Sequence, residues 1–130
     1  MLRISGALPG LTSEVQELIA RVFDSVASVE IVLLLRRSPQ TYWAAPAIAE
    51  QLGLRSEIVQ AKLDALTRHR ILKMGEQTHA FRYAPEEKET AARLDHLAAA
   101  YADHRVSVIN TIYSANLERL RAFSNAFRVK

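Results

Sequence analysis

Two stretches with helical periodicity, AAPAIAEQL and SEIVQAKLDALTRHR, are separated only by Gly53, Leu54 and Arg55. Helices joined by so brief a turn must cross rather than lie antiparallel. Pro46 suits the first turn of the first helix, where a missing N–H is harmless, and Gly53 suits the left-handed residue that ends it. The first helix is therefore expected over about 45–52. Ser56 is the expected cap of the second helix, in which Val59, Leu63 and Leu66 fall one to two turns apart on one face. That face must press on the preceding helix, which leaves the opposite side free.

After Arg70 the period changes. Ile71, Leu72 and Met74 precede Gly75-Glu76-Gln77-Thr78, and Ala80, Phe81 and Tyr83 lead to Pro85, which reads as a hairpin with strands near 71–74 and 79–84. Upstream, Val26, Val29, Ile31, Leu33, Leu34 and Leu35 form a broad apolar helix surface that Arg36-Arg37-Ser38-Pro39 ends. Tyr42 and Trp43 are expected to be aromatic anchors between the helices and the hairpin.

Both flanks read as helical. Ser13 followed by Gln16 is a capping-box signal for a helix from about Ser13 to Phe23, with Val15, Leu18, Ile19 and Val22 on one face. Beyond Pro85, the acidic Glu86, Glu87 and Glu89 favour a helix start, and Leu94, Leu97, Tyr101, Val108 and Ile112 carry the 3.6 period to about residue 114. Asn116 is the expected cap of a last helix whose Leu117, Leu120, Phe123 and Phe127 share a face. The fold class is thus mainly α with a small β-hairpin (α+β), divided into an N-terminal helical arm (1–24), a central domain (25–85) and a C-terminal helical extension (86–130).

Composition narrows the chemistry. The sequence has no cysteine, which removes disulfides, thiolate nucleophiles and cysteine zinc sites and fits a reducing cytoplasm. Its longest apolar run, 31–35, falls far short of the roughly 20 residues a membrane helix needs, and the amino end lacks a secretory pattern. A cytoplasmic location without membrane contact is expected. His96 and His104 are eight residues apart on one helix, and His69 and His79 flank the hairpin without an evident third ligand. With no phosphate loop, HExxH or nucleophile elbow, the expectation is a non-enzyme without metal or cofactor.

The order EIVLLLRRSP, then AIAEQLGL, then Val59, Leu63 and Leu66 running into Ile71-Leu72, then the Gly75 turn and FRYAP resembles the winged helix-turn-helix superfamily over residues 26–85. With helices on both sides, the layout is similar to bacterial transcriptional regulators of the MarR and PadR kind. The resemblance implies that the second helix of the motif enters the major groove of double-stranded DNA, while the wing reaches the flanking backbone. It places Ser56, Glu57, Gln60, Ala61 and Asp64 toward the groove, with Gln60 matched to adenine and Glu57 to cytosine. Arg55, Lys62, Arg68, His79 and Arg82 complete the DNA-binding set as phosphate contacts, with Arg70 and Lys73 as further basic candidates. Residues 55–84 carry six basic against three acidic side chains, a net +3. Arg70 stands where relatives often carry glycine.

The flanking helices are expected to form a homodimer through Leu94, Leu97, Tyr101, Val108, Ile112, Leu120, Phe123 and Phe127, setting two recognition helices about one DNA turn apart, roughly 34 Å. A second reading makes the domain a protein-protein interaction module without DNA binding, because Glu57 and Asp64 leave its recognition helix weakly charged.

Overall fold

The computed structural model describes residues 11–126. Helix α1 runs over Ser13–Val22 and is capped by Thr12, whose Oγ1 accepts the Val15 N–H at 3.2 Å. The cap lies one residue before the expected Ser13, because Thr12 still has extended backbone (φ −79°, ψ 164°). Helix α2, Val26–Arg37, buries Ser28, Val29, Ile31, Val32, Leu34 and Leu35. These positions occupy more than one face, which is why α2 reads as a nearly unbroken apolar run and not as a stripe.

A two-residue strand, β1 (Trp43–Ala44), leads directly into α3 (Ala45–Leu52), with Pro46 in its first turn. Gly53 ends α3 at φ 70°, and Leu54 N–H returns to the Ala49 carbonyl at 2.9 Å. This left-handed termination aims the chain into α4 (Ser56–Arg68). Arg55, not Ser56, is the N-cap: its carbonyl accepts the Val59 N–H at 3.0 Å, which draws Ser56 into the helix.

Strands β2 (Leu72–Met74) and β3 (Ala80–Tyr83) form the hairpin, and β1 adds to it as a third strand. The antiparallel order is β1-β3-β2, with Trp43 opposite Phe81 and Lys73 opposite Arg82. A two-residue strand is too short to show a period, so β1 left no trace in the sequence pattern. Helices α5 (Lys88–Asp103) and α6 (Arg105–Ala126) complete the described chain.

The expected long helix to residue 114 is interrupted at His104, and Asn116 is not a cap but an interior residue of α6. The interruption is slight, since His104 N–H still bonds Ala100 O at 2.6 Å and Val108 N–H bonds His104 O at 3.2 Å. Neither proline nor glycine marks it. Asn116 instead donates from Nδ2 to the Asp24 carbonyl at 3.0 Å, and Arg119 bonds the Ala20 carbonyl, so both residues fasten α6 to the end of α1.

The chain divides into two compact units, one of residues 26–92 and one that combines the chain up to residue 25 with the chain from residue 93 onward. In the first, Ile48 of α3, Val59, Leu63 and Leu66 of α4, and Ile71, Leu72 and Phe81 are almost fully buried. Burial of each large aliphatic side chain contributes about 1.5–3 kcal/mol. In the second, α1 packs on α6, and Glu17 of α1 pairs with Arg93 of α5 at 3.8 Å.

Candidate nucleic-acid interface

Helices α3 and α4 pack on each other, and α4 also contacts α2 and β2. Val59, Leu63 and Leu66 form the inner face of α4, with relative exposures of 1% or less. On the other side, Ser56, Glu57, Ala61, Asp64 and Arg68 are exposed, and Gln60 and Lys62 are half-buried at its edges. The expected groove-facing set is therefore at the surface. Two of its members engage each other, as Gln60 Nε2 donates to Asp64 Oδ1 at 3.0 Å. Arg55 meets Glu57 at 3.6 Å, an exposed pair that contributes little to stability.

The end of α4 follows from backbone geometry. Ile71 N–H reaches back to Leu66 O at 3.1 Å, and Arg70 takes the left-handed conformation at φ 63°. An arginine there costs more than glycine would, because its Cβ crowds the backbone. Its guanidinium meets Glu86 at 3.4 Å, while Glu86 N–H bonds the Arg70 carbonyl at 3.1 Å. The two residues close the base of the hairpin.

Gly75 lies beside the hairpin loop, but Gln77 carries the loop's positive φ, at 60°. What Gly75 supplies is space. A Cβ there would stand 2.6 Å from Thr78 Cγ2 and 2.9 Å from Tyr42 Cε1. Tyr42 itself is 45% exposed, and so it is not the buried anchor that its neighbour Trp43 more nearly is.

Strand register brings together three side chains. Trp43 pairs with Phe81 and Ala44 with Ala80, so the next step outward sets Tyr42 against Arg82, which in turn opposes Lys73. Phe81 and Tyr83 are buried on one face of β3, and the period-2 alternation turns Arg82 to the other. Arg82 Nε donates to Tyr42 Oη at 3.3 Å, and the guanidinium carbon lies 5.8 Å from the ring centroid. Among the described residues, neither Lys73 nor Arg82 forms a salt bridge. His79 is exposed in the adjoining loop.

The residues expected at a dimer interface fall into separate groups. Leu94, Leu97, Val108 and Ile112 are at most 3% exposed and belong to the interior of the single chain, because their periodicity follows the packed side of α5 and α6. They offer a partner no surface. Tyr101 is half-buried beneath Arg105, whose guanidinium carbon lies 4.9 Å from its ring centroid. Leu120 and Phe123 are exposed, and Phe127 lies outside the described residues. Sequence reasoning missed Val106 and Tyr113, which with Leu117 extend this exposed stripe along α6. The signal was present: 106–117 contains no charged residue.

Among the described residues, no group of three His, Asp or Glu side chains is placed to hold a metal ion, and no helix is long and apolar enough to cross a membrane. Compared with known family models, curated proteins and solved structures, the chain matches none.

Proposed function

We propose that residues 26–92 form a winged helix-turn-helix that binds duplex DNA, with α4 in the major groove and the β2–β3 loop as the wing, in a homodimeric transcriptional regulator. One observation carries this reading: α4 commits Val59, Leu63 and Leu66 to the core and leaves its opposite side exposed, beside a hairpin whose Lys73 and Arg82 have no carboxylate partner among the described residues. A helix exposed in this way can lie in a groove about 12 Å wide, while cations beside it meet phosphates. Gln60 and Glu57 are the base-reading residues, the first after exchanging its bond to Asp64 for an adenine edge.

Self-association is supported by the α6 stripe. Val106, Tyr113, Leu117, Leu120 and Phe123 are each 56–69% exposed, and contiguous apolar surface of this extent is covered in most soluble proteins. A two-fold pair of chains presents two copies of α4 to one duplex. Selection of bound duplexes from a randomised pool tests the proposal. The expected product is a near-palindrome with half-sites about one helical turn apart. Recovery of sequences with no shared pattern would remove base reading and leave nonspecific attachment.

A second reading, docking to another protein, is favoured by Ile58, which is 43% exposed on α4, and by the exposed Ala61 nearby. Protein docking through such a surface depends little on salt, whereas duplex binding weakens steeply as salt rises.

A further inference from the structure

The outward row of the small sheet holds two cations side by side. Lys73 and Arg82 are direct cross-strand partners, and like charges in that position oppose the pairing. Neither has a carboxylate partner among the described residues, although Glu76 lies with Lys73 and Tyr42 around the same open cleft. The third member of the row is Tyr42, which directly precedes β1 and bonds Arg82 across the continued register.

We propose that Tyr42 is a positioning residue that holds the Arg82 guanidinium so that Arg82 and Lys73 together receive one backbone phosphate of a nucleic-acid duplex. The inference rests on the DNA-binding reading above and adds to it a residue that the sequence pattern assigns only to packing. An arginine on the solvent side of a strand ordinarily samples several rotamers, and ordering them on binding weakens the complex. Here the Nε–H···Oη bond at 3.3 Å and the ring face 5.8 Å from the guanidinium carbon restrain the side chain from two directions. Because Nε is the atom engaged by Tyr42, the terminal Nη groups stay available to phosphate oxygens.

The remaining geometry keeps Tyr42 in place. Its ring lies so close to Gly75 that no side chain fits between them, and Gly75 N–H is fixed to the Ala80 carbonyl at 2.9 Å. The tyrosine is thereby seated against the hairpin on which Arg82 and Lys73 stand. A phosphate bridging the two cations would also relieve their mutual repulsion, a gain made only in the complex.

Tyr42→Phe retains the ring and removes the hydroxyl. Duplex affinity is measured for the full chain, for Y42F, for Arg82→Ala and for the double variant, with thermal unfolding of each as the folding control. The expected result is a loss of about 3- to 10-fold for Y42F, the equivalent of one net hydrogen bond. In the Arg82→Ala background the same change is expected to have no effect, because the group it positions is gone. If wild type binds duplex and Y42F binds equally well, or if the loss persists without Arg82, the positioning role is overturned while the DNA reading stands. If wild type binds no duplex even at low salt, both fall.

Discussion

Leu63→Ala is expected to lower the unfolding free energy by about 3 kcal/mol, within the range for a buried leucine truncated to alanine. Leu63 is 0% exposed and belongs to the face of α4 that meets α3. Its removal deletes the transfer free energy of three carbons and leaves a cavity that two crossed helices can only partly close. The midpoint of thermal unfolding of the unit that contains it should fall by roughly 12–24 °C. Asp64→Ala, one residue on, is the informative control. That side chain is exposed and, among the described residues, bonds only Gln60, so its loss should change stability by no more than about 0.5 kcal/mol. Equal destabilisation by both variants in a denaturant titration would mean that α4 is not packed on one side only.

Lys73→Ala combined with Arg82→Ala is expected to have the reverse profile, a large effect on binding and almost none on folding. Each phosphate neutralised releases about 0.9 counterion, so losing the one phosphate that the two cations share should weaken duplex binding near 0.1 M salt by roughly 8-fold through counterion release, and by more once their charge-assisted hydrogen bonds are counted. The slope of log affinity against log salt should become shallower by about 1. Stability should hold or rise by a few tenths of a kcal/mol, because the like-charged cross-strand pair is removed. Unchanged affinity in an anisotropy titration would exclude the outer row of the sheet from the interface.

The parts of the fold that the sequence announced are those with strong local chemistry. Gly53 ends α3 in the left-handed region, Pro46 opens it, and Val59, Leu63 and Leu66 are buried as their spacing requires. The features that escaped depend on longer-range pairing. Strand β1 is recognised only through Phe81 and Ala80, some 36 to 38 residues away by the register Trp43↔Phe81 and Ala44↔Ala80. Tyr42 acquires its bond to Arg82 from the same register, and no local pattern could have announced it. The periodicity of α5 and α6 was legible, yet periodicity alone does not say what an apolar face meets. Leu94, Leu97, Val108 and Ile112 proved to be covered by their own chain, while the surface left over belongs to Val106, Tyr113 and Leu117 as well as to Leu120 and Phe123. Gln77 shows a different limit, whereas Arg70 stands where the resemblance had already placed glycine. Both adopt positive φ without being glycine, as positions held by the hydrogen bonds of a helix end and a tight loop can do at some cost in strain.

The most direct measurement of the central claim is titration of the wild-type chain into mixed-sequence duplex DNA at about 50 mM and about 200 mM salt. If the outer side of α4 and the neighbouring hairpin cations meet a duplex, binding is measurable at the lower concentration and at least roughly tenfold weaker at the higher. No binding at the lower concentration, or an affinity indifferent to salt, would contradict the account.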